Sequence, residues 1–288
     1  LKGQLGLNNP QIETGKLSLR SERFRIFPKG YEPAGDTTGW SDQPDADANW
    51  RQILENARVA DLWQVPEFRY LARPFGDSMD ASGHPVAEPG IVLRFSSTIT
   101  SGKNFFGHPL AGGDHAYDPS VYATRIRSVG VWFSDYLSTD VLTDLSAAPR
   151  VYLIPTGADV MSIPNASSPT KTRVWNVVDQ VIPVPFPGIE SKLPYSGFVP
   201  LLDSLDGRIG QQRRFSSFRA YHDSGDAVNT DELVADSRLA GRSVWNTGWT
   251  LIIPGRALNA DPDEGINRFI QQVSDIKLVF QTFGFSGN

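Results

Sequence analysis

Apolar and polar residues alternate over long stretches of the second half of the chain. Ile276, Leu278 and Phe280 are separated by single residues, and Trp249 and Leu251 follow the same spacing. A period of two predicts β-strands with one buried face, which is typical of antiparallel sheets. We predict that these five side chains face inward together.

Seven stretches have the composition of strands. They are rich in Val, Ile, Phe, Trp and Tyr and are bounded by Gly, Pro, Asn and Asp clusters. Four long connections are expected at the ends of the sheets, where binding sites usually lie. The predicted strands are 91–99, 122–133, 150–155, 173–184, 213–221, 243–254 and 274–285. The long connections are 100–120, 156–172, 187–212 and 222–240.

One stretch, 48–64, has the period of a helix rather than a strand. Its apolar residues recur at the i, i+3, i+4, i+7 positions that form one helix stripe. Asp47 is the predicted cap, Pro66 closes the pattern, and a short second turn is predicted over 66–72. The residues of the stripe are Trp50, Ile53, Leu54 and Ala57.

These elements predict a mainly β protein. No strand–helix–strand repeat of the parallel kind is apparent, so we expect an antiparallel β-sandwich or jelly roll. The predicted sandwich domain covers 91–288. Residues 1–90 are predicted to form an extended and helical segment packed on it, with 48–64 as the one long helix.

Composition reduces the range of functions that the chain can have. The 288 residues are 40% hydrophobic, enough for a folded core, and contain no cysteine, which excludes disulfides and thiolate chemistry. The net charge of −5 argues against nucleic acid as a partner, and no 18-residue apolar stretch is present to span a membrane. We predict no cofactor. The chain does not begin with Met and has no signal-peptide pattern, so we expect a piece of a longer protein.

Three short motifs resemble chemical sites. Residues 76–79, Gly-Asp-Ser-Met, resemble the start of one hydrolase class, but the neighbouring residues do not match its partner spacing, so we predict a turn. His108 and His115 share a glycine-rich loop with Asp114, yet a spacing of seven fits no metal rule, so we predict loop hydrogen bonding. Residues 259–265 resemble a calcium loop only faintly and are also predicted to be a turn.

Charge is segregated near residue 220. Five acidic residues without a base follow a basic strand. The two groups either neutralise one another within the chain or form a polarised docking surface, where opposite charges steer association. The candidate docking residues are Asp223, Asp226, Asp231, Glu232, Asp236, Arg213, Arg214 and Arg219.

Three stretches, in this order, carry a family resemblance. Residues 122–131, YATRIRSVGV, and 274–282, SDIKLVFQT, resemble two strands near the C-terminus of insecticidal toxin-complex A subunits. Between them, 236–251 follows the order of that family's third conserved stretch. Residues 1–89 do not match, and the long insertions at 100–120 and 156–240 depart from the pattern.

The resemblance implies a function in assembly. The matching region in that family is a β-rich, non-enzymatic domain that docks a partner subunit, so this chain is expected to be a secreted or extracellular binding module of a toxin. No catalytic residue is implied. The alternative is a carbohydrate- or cell-surface-binding sandwich, in which aromatic residues such as Phe105 and Phe106 would stack on a sugar.

Overall fold

The computed structural model describes residues 11–27, 45–71, 79–116, 118, 120–136, 145–146, 149–163, 171–175, 216–219, 221–222, 239 and 241–286. These residues form eleven strands: β1 (Gln11–Ser18), β2 (Arg58–Val59), β3 (Gly90–Phe95), β4 (Val121–Ser134), β5 (Arg150–Pro155), β6 (Asp159–Ser162), β7 (Thr172–Trp175), β8 (Ser216–Arg219), β9 (Tyr221–His222), β10 (Trp249–Pro254) and β11 (Asp275–Ser286).

Two sheets contain nine of these strands. Sheet A has the order β1-β11-β4-β9 and sheet B the order β2-β3-β10-β5-β8, while β6 and β7 form a separate pair. All described pairings are antiparallel except β4 with β9. The predicted mainly β, antiparallel fold is therefore confirmed. Both β1 and β2 come from the first 90 residues, and both pair with strands of these sheets.

The core lies between the two sheets. The five side chains predicted to face inward together are buried, and the rings of Trp249 and Phe280 lie 5.8 Å apart across the core. That prediction is confirmed. In β11 the period of two places Ile276, Leu278 and Phe280 on the face that packs in the core, since alternate residues of a strand point to opposite faces. The buried five are Ile276, Leu278, Phe280, Trp249 and Leu251.

Sheet B is also covered on its second face. Val92, Ile154 and Ile252 form a second apolar cluster with residues of the segment 62–68. This segment consists of a single 3₁₀ turn, Leu62–Gln64, followed by the short helix α2 (Pro66–Leu71). The predicted turn over 66–72 corresponds to α2. Because β10 is buried on both faces, its sequence is nearly all apolar.

The predicted helix 48–64 is shorter than expected. Helix α1 runs over Ala46–Asn56, and its chain then turns into β2, whose register pairs Arg58 with Ile91. Pairing with β3 thus overrides the helical period after residue 56. Asp47 does not cap the helix as predicted; its carboxylate instead contacts Arg20 at 2.6 Å.

The prediction of a single long helix is wrong. After the short helix α3 (Gly255–Leu258), a second eleven-residue helix, α4, spans Pro262–Gln272. Asp261 caps it by accepting hydrogen bonds from the backbone N–H groups of Asp263 and Glu264. The stretch 259–265, predicted to be a turn, is therefore largely the start of a helix, and its acidic residues cap and populate the first helical turn.

Other boundaries differ from the predicted strands. Residues 159–162, predicted as part of a connection, form β6, and the predicted strand 243–254 is a strand only over 249–254. The predicted strand 213–221 is described as two short strands, β8 and β9. Of the predicted strand 173–184, the part from 176 on lies outside the described residues.

Candidate functional site

Most of the predicted docking residues lie outside the part of the chain that the structure describes. These are Arg213, Arg214, Asp223, Asp226, Asp231, Glu232 and Asp236. The backbone of Arg219 is described: it is the last residue of β8 and pairs with Arg150 of β5. The structure therefore does not bring the predicted acidic and basic groups together or separate them.

The chain around Arg219 crosses from one sheet to the other. Strand β8 is the last strand of sheet B, and two residues later β9 is the last strand of sheet A. In β9, Tyr221 and His222 pair with Trp132 and Phe133 of β4. Among the described strands, β8 and β9 are thus the last of their sheets, and the acidic segment 223–236 follows β9 directly in sequence.

The two strands that carry the family resemblance are neighbours. Residues 122–131 belong to β4 and residues 275–282 to β11, and these strands pair antiparallel over nearly their whole length. The register shifts between Gln281 and Thr282, which marks a bulge or an irregularity in the ladder. The two resembling stretches therefore form the centre of sheet A.

The outer face of sheet A carries an aromatic ring among polar groups. Lys16 of β1 lies with its Nζ 5.5 Å from the ring centroid of half-buried Trp132, a cation–π geometry. On the same face, the Ser128 hydroxyl and the Gln281 side-chain oxygen are 3.3 Å apart. The half-buried Trp132 ring with a cation beside it is a combination that can bind a polar ligand with an apolar side.

Glu22 anchors the loop that contains two histidines. Residues 101–116 are the histidine loop, and residues 19–25 are the N-terminal turn, which begins with a π-helical turn, Leu19–Arg23. The Oε1 atom of Glu22 lies 3.0 Å from His115 Nδ1, and its Oε2 accepts the His115 backbone N–H at 2.8 Å. The Glu22 side chain is 4% exposed and that of His115 42%. The hydrogen bond to Glu22 raises the pKa of His115 against the opposing effect of burial.

A second ion pair joins the same two segments. The Arg25 Nη1 atom lies 3.0 and 2.8 Å from the two carboxylate oxygens of Asp114, and its Nη2 donates to the Pro109 carbonyl. Asp114 also accepts from the backbone N–H of Ala111 at 2.9 Å. Arg25 adopts a φ of 57°, a left-handed conformation that a non-glycine residue keeps only where its surroundings enforce it.

His108 has the opposite electrostatic surroundings. Its Nε2 lies 2.9 Å from the carbonyl oxygen of Arg23, which requires a proton on this nitrogen. Burial lowers the pKa of His108, and the nearby charges of Arg25 and Arg23 lower it further. The prediction that the loop histidines form hydrogen bonds is thus confirmed for both. Within the described part of the chain, no group of three or more His, Cys, Asp or Glu side chains could hold a metal ion.

The remaining candidates have structural partners or are not described. Gly76, Asp77 and Ser78 of the hydrolase-like motif lie outside the described residues, and the exposed His84 Nδ1 is 3.9 Å from Asp80. The two loop phenylalanines considered as sugar-stacking groups are in the core: Phe105 is 4% exposed and Phe106 is 7% exposed. They do not form part of a surface site.

An open cleft of about 660 Å³ lies where α1, the segment 86–89 and α4 meet. Two arginines line it, and both are held by carboxylates: Arg58 contacts Asp263 at 2.6 Å, and Arg256 Nε contacts Glu88 at 3.0 Å. Burial raises the pKa of Glu88. These ion pairs join the three segments that form the cleft. Both arginines therefore stabilise the fold at this place.

Comparisons with known proteins identify no relative of this chain. Neither protein-family models, nor curated proteins, nor solved structures give a match to this chain. Among the helices in the described residues, none is both long enough and apolar enough to cross a membrane.

Proposed function

We propose that this chain is a non-enzymatic binding module of a toxin-complex A-like protein, which docks a partner subunit of a larger secreted assembly. The observation that carries the proposal is the position of β8 and β9, which are the last described strands of the two sheets and directly precede the acidic segment 223–236 in sequence. Edges of sheets present unpaired backbone groups and are common places for one protein to join another.

Two further features support docking near β8 and β9. The strands with the family resemblance, β4 and β11, are central in sheet A, and β4 is the strand on which β9 pairs. Charge is segregated in the sequence, with a basic strand before an acidic segment. Such a surface steers a partner of the opposite pattern, and exposed charges act over about 8–10 Å at physiological salt.

The test measures association with the partner. The full chain is used to isolate the partner from the native source, and the association rate is then measured at several salt concentrations. We expect the rate to fall as salt rises. Replacing the five acids of 223–236 by Asn and Gln should lower the association rate more than it raises the dissociation rate.

A control variant separates docking from general charge effects. Glu13, Glu55 and Glu264 are exposed acids elsewhere, and replacing them by Gln should leave the association rate nearly unchanged. Capture of the partner in equal yield by the five-acid variant would refute docking through this segment. Turnover of an ester, glycoside or peptide that is lost on replacing Ser78 or a histidine would refute the non-enzymatic assignment.

A second candidate function, glycan binding, is favoured by the outer face of sheet A. The half-buried ring of Trp132, with the Lys16 ammonium group 5.5 Å from its centroid, offers an aromatic surface with a polar group beside it. Binding to a glycan array that survives Trp132→Phe but is lost in Trp132→Ala would favour this function. The absence of any glycan binding by the wild-type chain would exclude it.

A further inference from the structure

The histidine loop completes one end of the core. Its Phe105 ring lies 6.1 Å from Phe280 and 5.1 Å from Trp245, and its Phe106 ring lies 5.7 Å from Phe95. All these rings are buried. The position of the loop therefore decides whether this end of the core is covered.

Polar contacts to the N-terminal turn hold the loop in place. Glu22 binds the ring and the backbone of His115, and the carbonyl of Arg23 binds the ring of His108. Asn104 Nδ2 adds a hydrogen bond of 2.9 Å to the Glu22 carbonyl. Imidazole is the side chain in these contacts whose ordinary pKa lies close to neutrality.

The two imidazoles respond to protons in opposite ways. His115 faces Glu22 and, farther off, Asp114, so its charged form is favoured. Burial favours the neutral form of His108, and the charges of Arg25 and Arg23 act in the same direction; the hydrogen bond to the Arg23 carbonyl and the charge of Asp114 oppose them. Glu22 is buried, so loss of the His115 charge leaves that carboxylate less well compensated.

We propose that His108 and His115 form a two-sided proton latch, which holds the histidine loop against the N-terminal turn near pH 6.5 and loosens it on either side. The raised pKa of His115 gives stability that is complete below the usual histidine value of about 6.5 and is lost as pH rises through the folded-state pKa. The lowered pKa of His108 gives stability that is complete above about 6.5 and is lost as pH falls through its folded-state pKa.

Hydrogen exchange of the full chain between pH 5 and 9 tests the latch. The reporters are the backbone N–H groups of Asn104, Phe105 and His115, which bond to His108 O, His115 O and Glu22 Oε2 respectively. After correction for intrinsic exchange, their protection factors should be greatest near pH 6.5. Each unit by which a histidine pKa departs from the usual value corresponds to about a tenfold loss of protection on its side.

Three histidine variants assign the two sides. His115→Gln should abolish the loss of protection at alkaline pH, and His108→Gln should abolish the loss at acid pH. His84→Gln is the matched control, because His84 is 78% exposed and outside the latch; it should leave both losses intact. Flat protection across the pH range, or an acid loss that persists in His108→Gln, would overturn the latch.

A measurement on the wild-type chain keeps the test decisive if a variant fails to fold. The ring C2–H signals of the histidines are titrated by NMR. We expect the pKa of His115 to lie above the usual histidine value of about 6.5 and that of His108 to lie below it. Coincident titration of these two rings would overturn the proposal, since a latch with two sides requires opposite surroundings.

Discussion

At the scale of single residues, the buried side chain of Asn246 holds two chain segments, 157–159 and 246–248, close together. The Oδ1 atom of Asn246 accepts from the N–H groups of Gly157 at 3.0 Å and Gly248 at 2.9 Å, and its Nδ2 donates to Asp159 Oδ1 at 2.7 Å. Asp159 in turn contacts Arg242 at 3.2 Å. A Cβ atom on Gly157 would lie 2.3 Å from the Gly248 nitrogen, so this approach requires glycine.

Asn246→Asp should turn the hydrogen bond from Asn246 to Asp159 into a repulsive contact, because the new side chain has the same shape but carries a carboxylate. At pH 7 two buried carboxylates would face each other, and we expect a loss of about 3–5 kcal/mol in the free energy of unfolding. Repulsion raises the pKa of the new carboxyl group in the folded protein. The loss of unfolding free energy should therefore be smaller at pH 4, where protonation removes the repulsion between the two carboxylates. Urea unfolding at both pH values measures this, with exposed Asn56→Asp as the control. An equal loss at pH 4 and pH 7 would contradict the contact.

Phe280→Ala tests the packing between the sheets. Phe280 is 2% exposed, and its ring lies among those of Trp249 and Phe105. Removing a buried aromatic ring costs about 3–5 kcal/mol, through lost contacts and the cavity left behind. Thermal unfolding should show this loss, whereas Val174→Ala, at a side chain 58% exposed, should change stability by less than about 0.5 kcal/mol. An unchanged midpoint in Phe280→Ala would show that the register of β11 is wrong.

At the scale of elements, helix α4 begins where several local signals coincide. Helix α4 combines a capping Asp261, a proline at the first position and acidic residues in the first turn, and it buries Phe269 against Phe133 at 4.9 Å. Each of these features favours a helix by itself. Pro262 and Gly265 instead favoured a turn in the sequence, because they usually interrupt regular structure.

Asp261→Ala should weaken α4 specifically. Two backbone N–H groups lose their acceptor, and we expect a loss of about 0.5–2 kcal/mol in the free energy of unfolding. Asp261→Asn keeps a capping oxygen and should stay close to wild type. Chemical denaturation of both variants provides the measurement. Equal stability of the Ala and Asn variants would mean that the side chain of Asp261 does not cap the helix.

At the scale of the whole molecule, the described part of the first 90 residues contributes to the core. Five of its apolar side chains are nearly inaccessible to solvent: Leu17 of β1, Leu19 directly after it, Trp50 and Leu54 of α1, and Leu62 against sheet B. Burial of each such side chain contributes about 1.5–3 kcal/mol. The N-terminal segment therefore supplies a share of the core comparable with the whole net stability of an ordinary protein.

Removal of residues 1–90 should abolish cooperative folding of the rest. The fragment 91–288 lacks β1 and β2 and exposes the apolar faces that α1 and the segment 62–68 cover. We expect no sharp urea transition in the fragment. A fragment that unfolds cooperatively at the midpoint of the full chain would show that the sandwich is an independent unit.

Local period explains what the sequence predicted well. The alternation in β11 predicts a strand and its buried face, because a strand fixes which side chains share a face. The stripe with Trp50 and Leu54 likewise predicts a helix, although not its end. The loop hydrogen bonds of His108 and His115 were expected from residue type, but their partners were not, since Glu22 is 93 residues away from His115 in the chain.

The sequence by itself determined the class of fold, the inward faces of the long strands and the presence of α1, because these depend on patterns within about ten neighbouring residues. Only the tertiary structure decided that β1 pairs with β11, that α1 stops where β2 meets β3, and that Glu22 joins the histidine loop. Each of these depends on contacts between distant residues, whose register and distance no local period encodes.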